Sequence, residues 1–179
     1  MQKYCNIVKN KLNMLIRSME KNTSDFVVNP KRDFVRKSEL SFSKTMRFIL
    51  GMGSRTLGKE LMDFYGYDPK IVSVSAIVQR RTKILPSAFQ QLFHRFNASF
   101  SQSRFFHGYR LYAVDGSDIH IPTNRDDYST HYNANTDSTG YNLIHLNALY
   151  DLMNRRYMDA ILQDSRSENE HSALIDIFT

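Results

Sequence analysis

Apolar residues recur through the first hundred positions at spacings of three and four, the period of helices resting on a core. Tyr4, Val8, Leu12, Leu15 and Met19 form one such stripe, and Asn22-Thr23-Ser24-Asp25 ends it. Phe26 to Leu40 is charged and lacks a period, and with Pro30 it reads as a surface loop. A second helix is predicted from Ser41 or Ser43, burying Phe42, Met46 and Ile49 until Gly51 and Gly53 interrupt it. Ser54 is placed to cap a third, with Leu57, Leu61 and Phe64 facing inward, which Gly66 and Asp68-Pro69 stop. Ser73 to Lys83 predicts a short fourth helix with small and hydroxyl residues first and a basic cluster at its end. After Pro86 the stripe of Phe89, Leu92, Phe93, Phe96 and Phe100 marks a fifth helix, an aromatic face suited to packing rather than base stacking.

At Tyr109 the period shortens. Tyr109 to Val114 is strand-prone and runs into Asp115-Gly116-Ser117, so a strand ending in a carboxylate is expected. Ile119 and Ile121 alternate with Asp118 and His120 until Pro122, and Thr123 to Thr139 reads as a polar loop. Tyr141 to Tyr150 predicts a second strand, Asp151 to Arg155 a turn, and Arg156 to Gln163 a third strand, both strands largely buried. Ser167 with Glu170 has the spacing of a capping box, opening a helix with Ala173, Leu174, Ile175 and Phe178 on its apolar side. The pattern is α+β: an all-helical region over residues 1–104, then three antiparallel strands and one helix over residues 105–179.

Charge separates the same two regions. Residues 1–104 hold 19 basic against 7 acidic side chains (net +12), and residues 105–179 hold 5 against 11 (net −6), within an overall charge of +6. A basic region can replace counterions along a phosphate backbone, whereas an acidic one repels nucleic acid unless its carboxylates hold a divalent cation. Lys31, Arg32, Arg36 and Lys37 in the loop, and Arg80, Arg81 and Lys83 at the end of the fourth helix, are the candidate DNA contacts. The fourth helix reads in two ways: as a recognition helix of a helix-turn-helix-like unit, or as a helix whose terminal cations complement its dipole. The link before it is long for the first.

Other chemistry is constrained by composition. Cys5 is the only cysteine, so neither an internal disulfide nor a cysteine-based zinc site can be built, which fits a reducing cytoplasm. His120, His131 and His145 lack the close pairing of a zinc site. No apolar run reaches the roughly twenty residues of a membrane span, so no membrane partner is expected. Asp115 is a carboxylate borne on a strand. Asp118 would point to the opposite face of a regular strand, and Asp151 suits a turn.

The run Ala113-Val114-Asp115-Gly116-Ser117-Asp118-Ile119-His120-Ile121-Pro122 resembles the first catalytic strand of DDE transposases of bacterial insertion sequences, the insertion-sequence-4-like group. Tyr141 to Asp151 and Arg156 to Ala160 are similar to that group's paired second and third strands, and the preceding helices to its DNA-binding region. The resemblance implies a DNA-binding region followed by an incomplete ribonuclease-H-like domain. In such enzymes three carboxylates hold two divalent cations, magnesium or manganese, for phosphodiester cleavage and strand transfer. Asp115 would be the first carboxylate and a metal ligand. The second Asp and the Glu fall beyond this chain in the family pattern, so the chain is expected to be inactive alone and to bind no ion tightly. Expected partners are the double-stranded DNA of insertion-sequence ends and a second copy in a synaptic complex, in a nucleoid-associated bacterial cytoplasm. The alternative is a truncated, inactive DNA-binding protein that competes with or regulates a full-length transposase.

Overall fold

Helical periodicity in the first hundred residues becomes five helices in a computed structural model, which describes residues 2–69, 71–101, 103–133, 139–164 and 169–178. They are α1 Gln2–Glu20, α2 Phe42–Gly51, α3 Leu57–Phe64, α4 Val74–Arg81 and α5 Pro86–Ala98. The chain divides into two compact units, residues 1–100 and 101–179, each described separately below. The fold is α+β: with α6 Glu170–Phe178 the described residues form six α-helices and one four-stranded antiparallel sheet.

The first unit has two joined cores. Ile16 and Met19 of α1, Phe42 and Met46 of α2, and Ala88 and Leu92 of α5 form one with Phe26, Val27 and Ile84; Leu40, Phe48, Leu61 and Ile77 form the other. Ile49 packs against both, so α2 is the element they share. The stripe on α1 is buried only toward its C-terminal end. Tyr4 is 64% exposed while Ile16, outside the expected stripe, is fully buried.

The segment from Phe26 to Leu40 is not a surface loop but a strap laid across the helices. Phe26, Val27 and Leu40 are buried and Phe34 packs against the first core. Val27 bridges Ile84, the Val28 amide donates to the Lys83 carbonyl (3.0 Å) and the Leu85 amide to that of Phe26 (2.9 Å). Phe26 and Phe34 both pack on Phe42 of α2 while Val27 pairs with Ile84, and anchors at such irregular spacing leave no period for a pattern search to find.

Local caps explain the helix starts. Ser41 Oγ accepts from the Lys44 amide and Ser73 Oγ from the Ala76 amide, so both are N-caps. Ser54 does not cap α3, whose N-cap position is Thr56. The Glu60 carboxylate instead accepts from the Gly53 (3.0 Å) and Arg55 (3.1 Å) amides ahead of the helix. Ser43 contributes its amide and hydroxyl to Glu20 at 3.0 and 2.7 Å. Burial pushes the Glu20 carboxyl up, but the Ser43 and Ser41 hydrogen bonds and the Arg47 charge together outweigh it and leave its pKa lowered.

The second unit is built on β1 Tyr112–Ile121, β2 His131–Tyr132, β3 Tyr141–Asp151 and β4 Arg156–Asp164. β3 is central: β1 pairs with it from Tyr112↔Asp151 to Ile121↔Asn142, and β4 pairs with it from Ile144↔Asp164 to Asp151↔Arg156. The expected polar loop contains β2, two residues paired to Asn142 and Tyr141. Asn142, fully buried, holds it there by accepting at Oδ1 from the Asn124 amide, lying 3.0 Å from His131 Nδ1, and donating to Thr130 Oγ1.

β1 starts later and runs further than its sequence suggests. Tyr109 lies beyond a tight turn in which His107 and Gly108 both have positive φ, and the strand passes through Asp115-Gly116-Ser117 without a break. Asp115 is therefore a mid-strand residue rather than a strand-end one. α6 packs against β3 and β4, and Ala173 is fully buried. Asn169 caps this helix through the Ser172 amide (3.0 Å); Ser167, the residue expected to do so, lies outside the described residues. The helix covers one face of the sheet, where His145, Asn147, Leu149 and Asp151 of β3 are buried. The other face is open, with Tyr157 58%, Leu162 61% and Ile119 38% exposed, so β4 is not buried on both sides as its composition suggests.

Candidate functional site

The charged segments of the first unit converge. Lys31, Arg32 and Arg36 of the strap and Arg80 and Lys83 from the end of α4 line one surface concavity of about 560 Å³, with Asp33 as its single carboxylate. The strap's docking beside Lys83 brings them there, since Val28 is hydrogen-bonded to the Lys83 carbonyl.

Two of these cations are oriented by neighbours. Arg80 donates from Nη2 to Ser38 Oγ at 2.8 Å, with its guanidinium 5.0 Å from the centre of the Phe34 ring. Lys83 Nζ lies 3.4 Å from Asp33 Oδ1. Asp33 is 5% exposed and accepts from the Asn29 amide at 2.9 Å, which closes the turn that presents Lys31 and Arg32. Lys31, Arg32 and Arg36 are exposed. The concavity thus combines oriented cations with solvated ones, an arrangement suited to an extended anion. Lys37 and Arg81 are exposed but do not line it.

Sequence reasoning finds the cations and misses what holds them. Asn29, Asp33, Phe34 and Ser38 are unremarkable within a charged stretch; the spacing Asn29-Pro30 to Asp33 is the one local signal, a turn closed by a carboxylate. The tight form of a helix-turn-helix is not present, because residues 65–73 separate α3 from α4 where that motif has a three- or four-residue turn.

In the second unit Asp115 pairs with Ala148 across the ladder, and its side chain is exposed on the open face. Among the described residues no three His, Cys, Asp or Glu side chains are grouped to hold a metal ion. Magnesium takes six oxygens in near-octahedral geometry, and one carboxylate with water forms a weak site. The described side chains therefore do not fit a two-metal centre.

The covered face holds a different cluster. Asp118 sits opposite His145, and Asp118 Oδ1 lies 2.9 Å from His145 Nδ1. The imidazole lies over Gly116: a Cβ built there would come within 2.5 Å of His145 Nε2 and 3.0 Å of Glu170 Oε1. Gly116 has no positive φ, so close approach of the ring, and not a turn, requires glycine at this position. Asp118, His145 and Glu170 join β1, β3 and α6 on the face away from Asp115. At the β3–β4 turn, Asp151 accepts from the Met153 and Asn154 amides at 3.0 and 2.9 Å and from Asn154 Nδ2 at 2.8 Å. Burial raises the Asp151 pKa, but the Asn154 and Met153 hydrogen bonds outweigh it and hold the carboxyl below its usual range.

Comparison with protein-family models, curated proteins and solved structures finds no significant match to this chain. Among the described residues no helix is long and apolar enough to cross a membrane.

Proposed function

We propose that this chain is a DNA-binding protein of the DDE-transposase class, engaging double-stranded DNA through the concavity of its first unit. The observation that carries this reading is the convergence of Lys31, Arg32, Arg36, Arg80 and Lys83, from two separate segments, with Asp33 the one carboxylate among them. Like charges gathered at this density repel one another, and a polyanion relieves that repulsion while releasing its own counterions. The resemblance of residues 113–122, 141–151 and 156–160 to transposase strands supplies the kind of DNA, the ends of an insertion sequence.

That no three metal-ligating side chains are grouped around the exposed Asp115 among the described residues favours the form of this reading in which the chain occupies those ends without cutting them, in competition with a complete transposase. A second copy bridging two ends and a nucleoid-associated location belong to the same proposal. The test is binding of the full chain to duplex DNA as salt is varied, followed by Lys31→Ala, Arg32→Ala and Arg36→Ala together. Each phosphate that the protein no longer neutralises should flatten the log–log salt slope by about 0.9, so the triple variant should lose up to roughly 2.7. An unchanged slope removes the concavity from the interface. Strand cleavage with magnesium or manganese that disappears on Asp115→Asn refutes the non-cutting form.

A further inference from the structure

The outer face of α4 differs chemically from the concavity beside it. Ile77 is fully buried and Ala76 packs into the second core, so the helix has one fixed rotation about its axis. That rotation turns Arg80 toward Ser38 and Phe34, and leaves Ser75, Gln79 and Thr82 exposed at spacings of four and three. The stripe is neutral, made of one amide and two hydroxyls. Gln79 Nε2 donates to Ser75 Oγ at 3.2 Å, which orients these two side chains together, and Thr82 Oγ1 donates to the backbone carbonyl of Gln79 at 3.1 Å.

We propose that α4 reads base edges in the major groove, with Gln79 specifying an adenine and Ser75 and Thr82 flanking it. This rests on the DNA-binding reading above and adds sequence preference to it. Gln pairs bidentately with adenine N6 and N7, whereas Ser and Thr are short enough to let a helix approach the groove floor. From Ser75 to Thr82 the helix rises roughly 10 Å at about 1.5 Å per residue, close to three base-pair steps and within a groove about 12 Å wide. The division of chemistry supports the assignment: Arg80 and Lys83 at the end of α4 line the concavity, suited to phosphate, while the exposed stripe carries groups that can bond to base edges.

The test is selection of bound duplexes from a random pool with the full chain, repeated with Gln79→Ala and with the Lys31, Arg32 and Arg36 triple alanine variant. Gln79 is exposed, and circular dichroism is the check that its variant keeps the fold. The wild type should enrich a site containing an adenine preferred roughly 5- to 150-fold over other bases. Gln79→Ala should lose preference at that one position and keep the salt slope, whereas the triple variant should weaken binding on every sequence alike. Salt-dependent binding with no enriched site, or with a site unchanged by Gln79→Ala, overturns base reading by α4 and leaves the concavity standing. No DNA retained by the wild type at any salt overturns both.

Discussion

Gly116→Ala isolates the contact between β1 and the His145 ring. The added methyl would meet His145 Nε2 at 2.5 Å, Cε1 at 2.9 Å and Glu170 Oε1 at 3.0 Å. Glu170 is exposed and its carboxylate can swing aside, but His145 is 8% exposed and anchored to Asp118 at 2.9 Å. Relief therefore requires the ring to rotate. Forcing extra volume into a packed site costs about 1–3 kcal/mol, including a broken hydrogen bond of ~0.5–1.5 kcal/mol. Alanine in a strand recovers ~0.5–1 kcal/mol of chain entropy relative to glycine, so the net loss should be about 1–2 kcal/mol. In a His145→Ala background the obstacle is gone, and the same substitution should be neutral or stabilising by up to ~1 kcal/mol. The expected coupling is thus about 1–3 kcal/mol, measured as a double-mutant cycle by urea unfolding of the full chain. Hydrogen exchange at β3 amides assigns the change to the sheet, and His145→Ser replaces His145→Ala if the latter opens it. Equal cost of Gly116→Ala in both backgrounds would refute the steric account.

Further outcomes follow from other polar contacts. Because the folded pKa of Asp151 is lowered, its stabilisation is full above the unfolded value of about 3.9 and is lost as pH falls through the folded value. Asp151→Asn should therefore cost about 1–2 kcal/mol at neutral pH and nothing once both states are protonated, seen as a flatter acid limb in pH-dependent urea titrations. Glu20→Ala removes the acceptor for the Ser43 amide and hydroxyl and should lower stability by about 1–2 kcal/mol in the same titration at pH 7. Asp115→Asn should change stability by less than ~0.5 kcal/mol, because the residue is exposed; a larger loss would mark it as a structural group.

Helices are legible where a stripe and a cap coincide. Ser73 with Ile77, and Ser41 with Phe42 and Met46, fix both the start and the buried side of their helices. The strap is not legible, because Phe26, Val27, Phe34 and Leu40 are irregularly spaced and meet partners distant in sequence, so only the folded chain relates them. The candidate DNA cations can be named singly, but their meeting depends on the Val27–Ile84 bridge, a long-range pairing that no local pattern encodes. Asp115-Gly116 reads as a strand end since Asp-Gly commonly turns a chain. The reason for this glycine lies some thirty residues away, in a histidine whose ring needs the space.

That histidine also bears on how β1 and β3 find their alignment during folding. Alternation of side chains penalises a slip of one residue, which would exchange the two faces, but a slip of two preserves every inside and outside position. Shape has to reject the latter. With His145 opposite Asp118 its ring fits the notch at Gly116, whereas two residues either way it would lie opposite Gly116 or His120 and lean toward Val114 or the side chain of Asp118. Glycine and imidazole work as a keyway, admitting one alignment out of a set that hydrophobic pattern alone leaves degenerate.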